Sequence, residues 1–245
     1  MVDEKDISKE AKWYHKNFIQ KTIVALKKNN FDAEYVASRD EALVRVIEKI
    51  PPGATIGCGD SVTLHQIGFI DWLSNQKYHE VFNPFSIQRD DFPDGDWVQF
   101  RNERFILQQK ALTANVFISG TNAITLDGKL VNIDGHGNRV AAMIFGPNKV
   151  IIVSGANKIV NNIDEAIKRI HEWAAPMNVK RHIEKHGFAD HLENLPCALT
   201  GRCAYCHNEN KICRITTVID GWSPFAHGPT EYQPSIIVVG ESIGI

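Results

Sequence analysis

Positive charge is not in excess in this 245-residue chain: 27 lysines and arginines stand against 29 aspartates and glutamates, a formal net charge of −2. A protein that neutralises a phosphate backbone needs a basic surplus, so no nucleic-acid partner is expected. Long apolar runs are also missing. None approaches the roughly 20 residues that span a bilayer, and no membrane span is expected. The opening Met1-Val2-Asp3-Glu4-Lys5-Asp6 lacks the apolar core of a secretion signal, so a cytoplasmic location is expected. Cysteine is scarce, five residues in all, and in a reducing compartment such thiols read as metal or redox groups rather than disulfides. What remains is an ordinary globular composition, 43% hydrophobic and 23% charged, which excludes disorder as a description of the whole. One α/β domain over 1–245 is the expected organisation.

Strand patterns alternate with helical ones. Residues 7–30 read as a helix with Ile19, Ile23 and Leu26 on one stripe, followed by a short strand from Phe31 to Val36. Ser38-Arg39-Asp40-Glu41 carries an N-cap and a first-turn acid, and Pro51-Pro52-Gly53 stops the helix that follows. A buried strand at 54–57 leads through a polar turn to a helix over about 62–74. Residues 83–95 read as a loop and 97–112 as a long amphipathic helix. Val116–Gly120 reads as a central strand, with 129–133 as its hairpin partner across Asp127-Gly128. A short helix at 138–145, an apolar strand at 150–153 and a helix at 162–174 complete the alternation, which favours a largely parallel sheet. After Pro176 the periodicity lapses: His182, His186, His191 and four cysteines fall close together before strand patterns resume at 214–219 and 235–239. The segment 176–213 is therefore expected to be a cysteine-rich metal-binding insertion.

Cys197, Cys203, Cys206 and Cys213 give C-x5-C-x2-C-x6-C, with Cys58 apart from them. The tight Cys203-Ala204-Tyr205-Cys206 turn lets two thiolates grip one centre, and the outer pair can complete four sulfurs. Structural zinc sites usually show two short pairs; one pair with unequal arms leans toward a 4Fe-4S cluster, with zinc as the alternative. Polar neighbours (Gly201, Arg202, His207, Asn208, Glu209) argue against four merely buried cysteines.

Two polar turns are candidate ligand sites. The first is Gly57-Cys58-Gly59-Asp60-Ser61-Val62-Thr63, between a strand and a helix, where Gly57, Gly59, Asp60, Ser61 and Thr63 would meet a carboxylate or phosphate. It is no dinucleotide fingerprint, because Val62 stands where a third glycine is needed, and no Walker loop. A plain strand-to-helix turn remains the competing reading, and Cys58 reads as a small residue in that turn or as a nucleophile. The second runs from Gly120, Thr121 and Asn122 to Asp134, His136 and Arg139, polar groups brought to one end of a sheet. Arg139 is a candidate bidentate clamp for a carboxylate, Asp134 and His136 are candidate proton carriers, and Lys158 is a candidate anion contact unless it is merely solvated.

Together these pieces resemble the LUD domain family, named for lactate utilisation. The matching segments are Gly57–Leu64, Ser119–Ile124, the Asp127-Gly128 hairpin, Gly137–Ala141 and Gly155–Val160, with the Pro196-Cys197, Gly201–Cys206 and Ile212-Cys213 block similar to that of stand-alone members with four cysteines. The resemblance implies a Rossmann-like layered sheet similar to the sugar-phosphate isomerase and CoA-transferase superfamily. It also implies a link to iron–sulfur proteins that oxidise lactate to pyruvate. Asn122 stands where catalytic members of that superfamily often carry an acid, so their chemistry does not transfer directly.

Three functions follow as expectations. The first is an iron–sulfur protein of small hydroxy-acid metabolism, an oxidoreductase component. Lactate oxidation releases two electrons and a single cluster ordinarily passes one, so an iron–sulfur or flavin redox partner protein is implied. The second is a hydro-lyase in which an open iron acts as a Lewis acid. The third is a binding or regulatory module with structural zinc.

Overall fold

The computed structural model describes residues 6–185, 190–223, 225 and 232–245. Helix α1 (Ser8–Lys28) precedes strand β1 (Asp32–Val36) and helix α2 (Arg39–Glu48). The Ser38 hydroxyl accepts the Glu41 amide at 3.2 Å and so caps α2. Strand β2 (Ile56–Cys58) leads to α3 (Val62–Gln66), α4 (Phe69–Asn75), β3 (Val81–Phe82), α5 (Trp97–Leu112) and β4 (Val116–Gly120). Then come β5 (Ala123–Thr125), β6 (Leu130–Asp134), α6 (Asn138–Ile144), β7 (Lys149–Gly155), β8 (Ile159–Val160) and α7 (Ile163–Arg169). Helices α8 (Ala175–Lys185), α9 (Asp190–Glu193) and α10 (Pro196–Thr200) precede β9 (Ile215–Ile219) and β10 (Ser235–Val239).

Six strands form a parallel sheet in the order β1-β10-β7-β4-β2-β3. The mixed α/β architecture is consistent with a Rossmann-like fold. Parallel strands are covered on both faces, and their sequences show it. In β4, β7 and β10, Ile118, Ile151, Val153, Ile237 and Val239 pack with α2, α3 and α4. Their neighbours Phe117, Val150, Ile152, Ile236 and Val238 pack with α1, α6 and a second sheet. That second sheet has the order β8-β5-β6-β9, and α7 with the residue that follows it covers the sheet through Ala166 and Ile170 against Ala123, Val131 and Ile133.

Several expectations are corrected. The expected helix over 62–74 is two, divided at Gly68, whose φ of +76° no regular helix contains. Residues 130–134 do not pair with β4. Both edges of β4 are already taken by β2 and β7, and β6 pairs antiparallel with β5 and β9 instead. Helix α5 buries only Phe100 and Ala111, while Val98, Phe105 and Ile106 are exposed, so it lacks the continuous apolar face that its sequence suggests. The helical path also does not end near Pro176. A π-turn over Ile170–Ala174, with the Ala175 amide bonded to the Ile170 carbonyl, carries α7 into α8. Proline lacks an amide and crowds the carbonyl four residues earlier; the widened turn just ahead of it accommodates both defects. His182 therefore lies in α8 and His191 in α9, whereas His186 falls outside the described residues.

The Asp127-Gly128 turn docks on the end of α1. Asn29 Nδ2 donates to the carbonyls of Asp127 and Gly128 at 2.8 and 3.0 Å. Gly128 has φ +84°, and a Cβ there would lie 2.6 Å from the Ala25 and Leu26 backbone. Gly128→Ala is expected to lower unfolding stability by about 2 kcal/mol or more, through left-handed backbone strain and a forced shift of α1. A urea midpoint equal to that of the parent would contradict this docking.

Candidate functional site

The chain moves outward from β2 to β3 and then back across β2 to β4, so the sheet's order reverses between β2 and β4. In open α/β sheets, ligand crevices form at the carboxyl ends of the strands flanking such a reversal. Both polar turns converge there. The Gly59 amide donates to the Ile118 carbonyl at 3.0 Å. A Cβ at Gly59 would stand 2.7 Å from Ser119 Oγ, and one at Gly120 would stand 2.7 Å from Ser61 Oγ. At both positions a larger residue would displace the facing serine hydroxyl, so the two loops lie in close contact. Ser119 is fully buried and its hydroxyl has no hydrogen-bond partner among the described residues. Gly57 faces elsewhere, with its α-carbon against Ala111 of α5.

Arg139 organises the polar groups beside these turns. Its Nε lies 3.2 Å from Asp134 Oδ2. Nη1 donates to Asn132 Oδ1 at 2.8 Å and to the Gly120 carbonyl at 3.3 Å, and Nη2 to the Ile133 carbonyl at 2.7 Å and Asn122 Oδ1 at 3.2 Å. The guanidinium joins β4 to the second sheet, and its fork is occupied by the chain itself. Asp134 is equally engaged: Oδ1 accepts the amides of His136 and Gly137 at 3.1 and 2.8 Å. The His136 residue is exposed on that turn.

Asn132 was not a sequence candidate, yet it is central. Buried in β6, it accepts hydrogen bonds from Thr121 Oγ1, the Asn122 amide and Arg139, and its Nδ2 has no partner among the described residues. A lone amide in the otherwise apolar run Leu130-Val131-Asn132-Ile133 was the available signal. Arg169, in the last turn of α7, donates to the Asn122 carbonyl at 2.8 Å. By position it reads as a charge favouring the helix dipole, which hides its inward reach.

Lys158 is not solvated. It is 3% exposed, and Nζ donates to Thr63 Oγ1 and the Thr121 carbonyl at 3.1 Å each. No carboxylate pairs with it among the described residues. Burial, with repulsion from Arg169 and Arg139 added, lowers its pKa to about 7. Asp60 is the opposite case. Burial alone would raise its pKa, but the Arg181 fork grips both oxygens at 2.6 and 2.9 Å and holds the carboxyl well below the usual range. Asp60 is therefore a neutralised acid at the rim. Burial, with Asp60 nearby, pushes the Cys58 thiol up to about 12, which suits a packed residue and not a nucleophile.

Cys197, Cys203, Cys206 and Cys213 all line one small cavity of about 10 Å³, backed by Pro176, Val179 and Leu195. They do not close into a coordination shell: among the described residues no three His, Cys, Asp or Glu side chains are arranged to hold a metal ion. Polar groups do address one sulfur. His171 Nδ1 lies 3.2 Å from Cys203 Sγ, and the Tyr205 amide donates to the same sulfur at 3.3 Å. His171, placed by the π-turn, could not be found from spacing. A larger cavity of about 480 Å³ lies elsewhere, among Phe31, Met143, Phe145 and Trp222. It is mainly apolar and contains none of the candidate residues.

The profile of one protein family, the LUD domain, matches residues 19–233. Among solved structures, a DUF162 family protein from Deinococcus radiodurans aligns over 92% of this chain and 98% of its own, at 12% identity and a TM-score of 0.48. The eIF2B delta protein from Chaetomium thermophilum aligns over 68% of this chain and 61% of its own, at 16% identity and a TM-score of 0.34. No curated protein matches the chain. No helix among the described residues is long and apolar enough to cross a membrane.

The Lys158 geometry fixes a pH dependence. An amine that ionises lower in the folded chain than in the unfolded one sheds its proton on folding between the two values. Folding stability must therefore rise as pH climbs from about 7 toward the free-lysine value of about 10.4. The parent is expected to gain stability relative to Lys158→Met between pH 7 and pH ~10. Parallel curves for the two proteins in urea unfolding would show that Lys158 is not buried as described.

Proposed function

The chain belongs to the LUD domain family, and on that premise we propose that it serves small hydroxy-acid metabolism, binding a lactate-like acid or its keto product in the β2/β4 crevice. Lys158 carries this reading: a buried amine without a carboxylate, at the reversal point of a parallel sheet. Arg169 adds a second cation that no carboxylate offsets among the described residues. An anionic guest offsets the Arg169 charge and favours the protonated form of Lys158, and a carboxylate of two or three carbons suits a crevice floored by the Ser119 and Ser61 hydroxyls. Gly59, Gly120, Thr63, Thr121 and Asn122 shape the floor. Arg139 and Asp134 are positioning residues in this reading, because their polar groups are engaged with each other and with the backbone. His136 is the proton carrier, since Asp134 orders its turn while the residue stays exposed.

The cysteine segment is the proposed redox part: four thiols gathered at one cavity are the donor type that an iron–sulfur cluster takes, and a bound cluster would draw them into the shell they do not form on their own. Four thiols line one cavity, and the Tyr205 amide and His171 ring address Cys203, as donors around metal-bound sulfur do. Cys197, Cys203, Cys206 and Cys213 would hold the 4Fe-4S cluster, which supplies one-electron transfer when bound. Helix α8 links the two parts. Pro176 and Val179 back the cysteine cavity and Arg181 grips Asp60, contact points about 8 Å apart along the helix. Because an alcohol gives up two electrons, a flavin or further iron–sulfur protein completes the reaction. A second reading rests on the cavity's size. About 10 Å³ suits a single ion without rearrangement, and would make the segment a structural zinc site.

Anaerobic purification with iron, sulfide and zinc assays separates these readings. Iron and sulfide in equal amounts, with visible absorption lost in Cys203→Ser, are expected; stoichiometric zinc in a colourless protein decides for the second reading, and metal-free protein overturns both. The crevice is tested apart from the metal. Lactate or pyruvate is expected to raise the melting temperature of the parent but not of Lys158→Met, and no shift in the parent sinks the crevice reading.

A further inference from the structure

A second group of cations lies beyond the crevice rim, on elements that the acid-binding reading does not use. Arg104 projects from α5. Its guanidinium carbon lies 5.0 Å from the centre of the Phe85 ring and 5.9 Å from that of Phe100. Its Nε is buried without a hydrogen-bond partner, and the guanidinium makes no ion pair among the described residues. Lys185 of α8 approaches the same ring, with Nζ 5.7 Å from the Phe85 centre. Among the described residues, Asp60 is the carboxylate whose charge acts on both Arg104 and Lys185. Arg181 takes both of its oxygens, and Lys185 reaches it only at 3.7 Å. Burial and mutual repulsion strain the set: Lys185 is pushed down by burial and by Arg181 and Arg104, and Arg104 by burial.

The arithmetic of charge is simple. Arg104, Arg181 and Lys185 contribute three positive charges and Asp60 one negative, a surplus of two among these described side chains. A guanidinium nitrogen held out of water without an acceptor is costly, as Arg104 Nε is, and an anion would complete it. A single carboxylate would leave one charge over, whereas a phosphate monoester carries close to two negative charges and three acceptor oxygens. Arginine's planar fork matches phosphate geometry, and lysine adds a point charge. Both cations approach the Phe85 ring, and its loop is fixed by the Asn83 side chain, which accepts the Phe85 amide at 3.0 Å.

We propose that Arg104 and Lys185, with Asp60-bound Arg181 behind them, form a phosphate-binding subsite at the rim of the β2/β4 crevice. Asp60 belongs to the same turn as Ser61 and Thr63, so the subsite adjoins the crevice. The phosphate comes either from solution, as a regulatory ion, or from the far end of a phosphorylated hydroxy acid whose carboxylate enters the crevice. The second source rests on the acid-binding reading above; the subsite itself does not.

Isothermal titration with inorganic phosphate, and separately with the phosphate ester of lactate, tests this. The parent is expected to bind inorganic phosphate, and Arg104→Met to lose about thirtyfold or more in affinity. Lys158→Met, which alters only the crevice, should bind inorganic phosphate as the parent does. If the ester binds more tightly than phosphate and Lys158→Met removes that advantage, one ligand spans both sites; equal affinities assign the subsite to free phosphate. Arg104→Met is expected to melt no lower than the parent in phosphate-free buffer, because it removes an unpaired charge, and to lose the rise in melting temperature that phosphate gives the parent. Arg104→Lys should retain part of that rise. No phosphate binding by the parent, or unchanged binding by Arg104→Met, overturns the subsite and leaves the lactate and pyruvate result standing on its own.

Discussion

A buried guanidinium has five N–H groups and no way to lose its charge, so its neighbours must be built around it. Arg139 imposes this constraint at the joint between the two sheets. Its partners come from the end of β4, from the turn at Asn122 and from three successive residues of β6. Asp134 gives up one oxygen to Arg139 and the other to the turn that starts α6. The joint is thus a network in which each polar group is fixed by another. Taking one partner away leaves a buried charge exposed to the full penalty of desolvation.

Around that fixed joint, acids and bases are unevenly matched. The chain as a whole is slightly acidic, yet the carboxylates nearest the β2/β4 reversal, Asp60 and Asp134, are each bound to an arginine. Lys158, Arg169 and Arg104 have no carboxylate of their own among the described residues. Local field, and not net charge, decides what a crevice attracts. Here the described cations outnumber the free carboxylates, a local balance that the overall composition does not reveal.

Helix α8 gives the second feature its place. The π-turn over Ile170–Ala174 absorbs Pro176 and sets His171 against Cys203. The start of α8 then backs the cysteine cavity, and its later turns reach Asp60. The cysteine segment is therefore attached to the crevice through one rigid element, not appended to the domain by a free linker. π-turns often mark such positions, because they re-aim side chains that a regular helix would send elsewhere.

Much of this was legible in the residues. The alternation of strands and helices, the Ser38 cap, the apolar strands Val116–Gly120 and Lys149–Gly155, and the two polar turns all follow from local rules of pattern and capping. So does the grouping of Thr63, Thr121 and Lys158 among the candidates. Which partners each residue has did not follow. The pairing of β6 with β5 depends on both edges of β4 being filled by strands remote in sequence. Lys158 reads as an anion contact or as a solvated lysine, and only Thr63, 95 residues away and accepting from it, shows it buried. Arg139 reads as free to clamp a substrate until its donors are seen to be taken, and Arg104 carries no local signal at all. Sequence determines what each short segment prefers, because propensity and periodicity act within a few turns; burial and charge pairing are decided only when distant segments meet, because both depend on what fills the space beside a side chain.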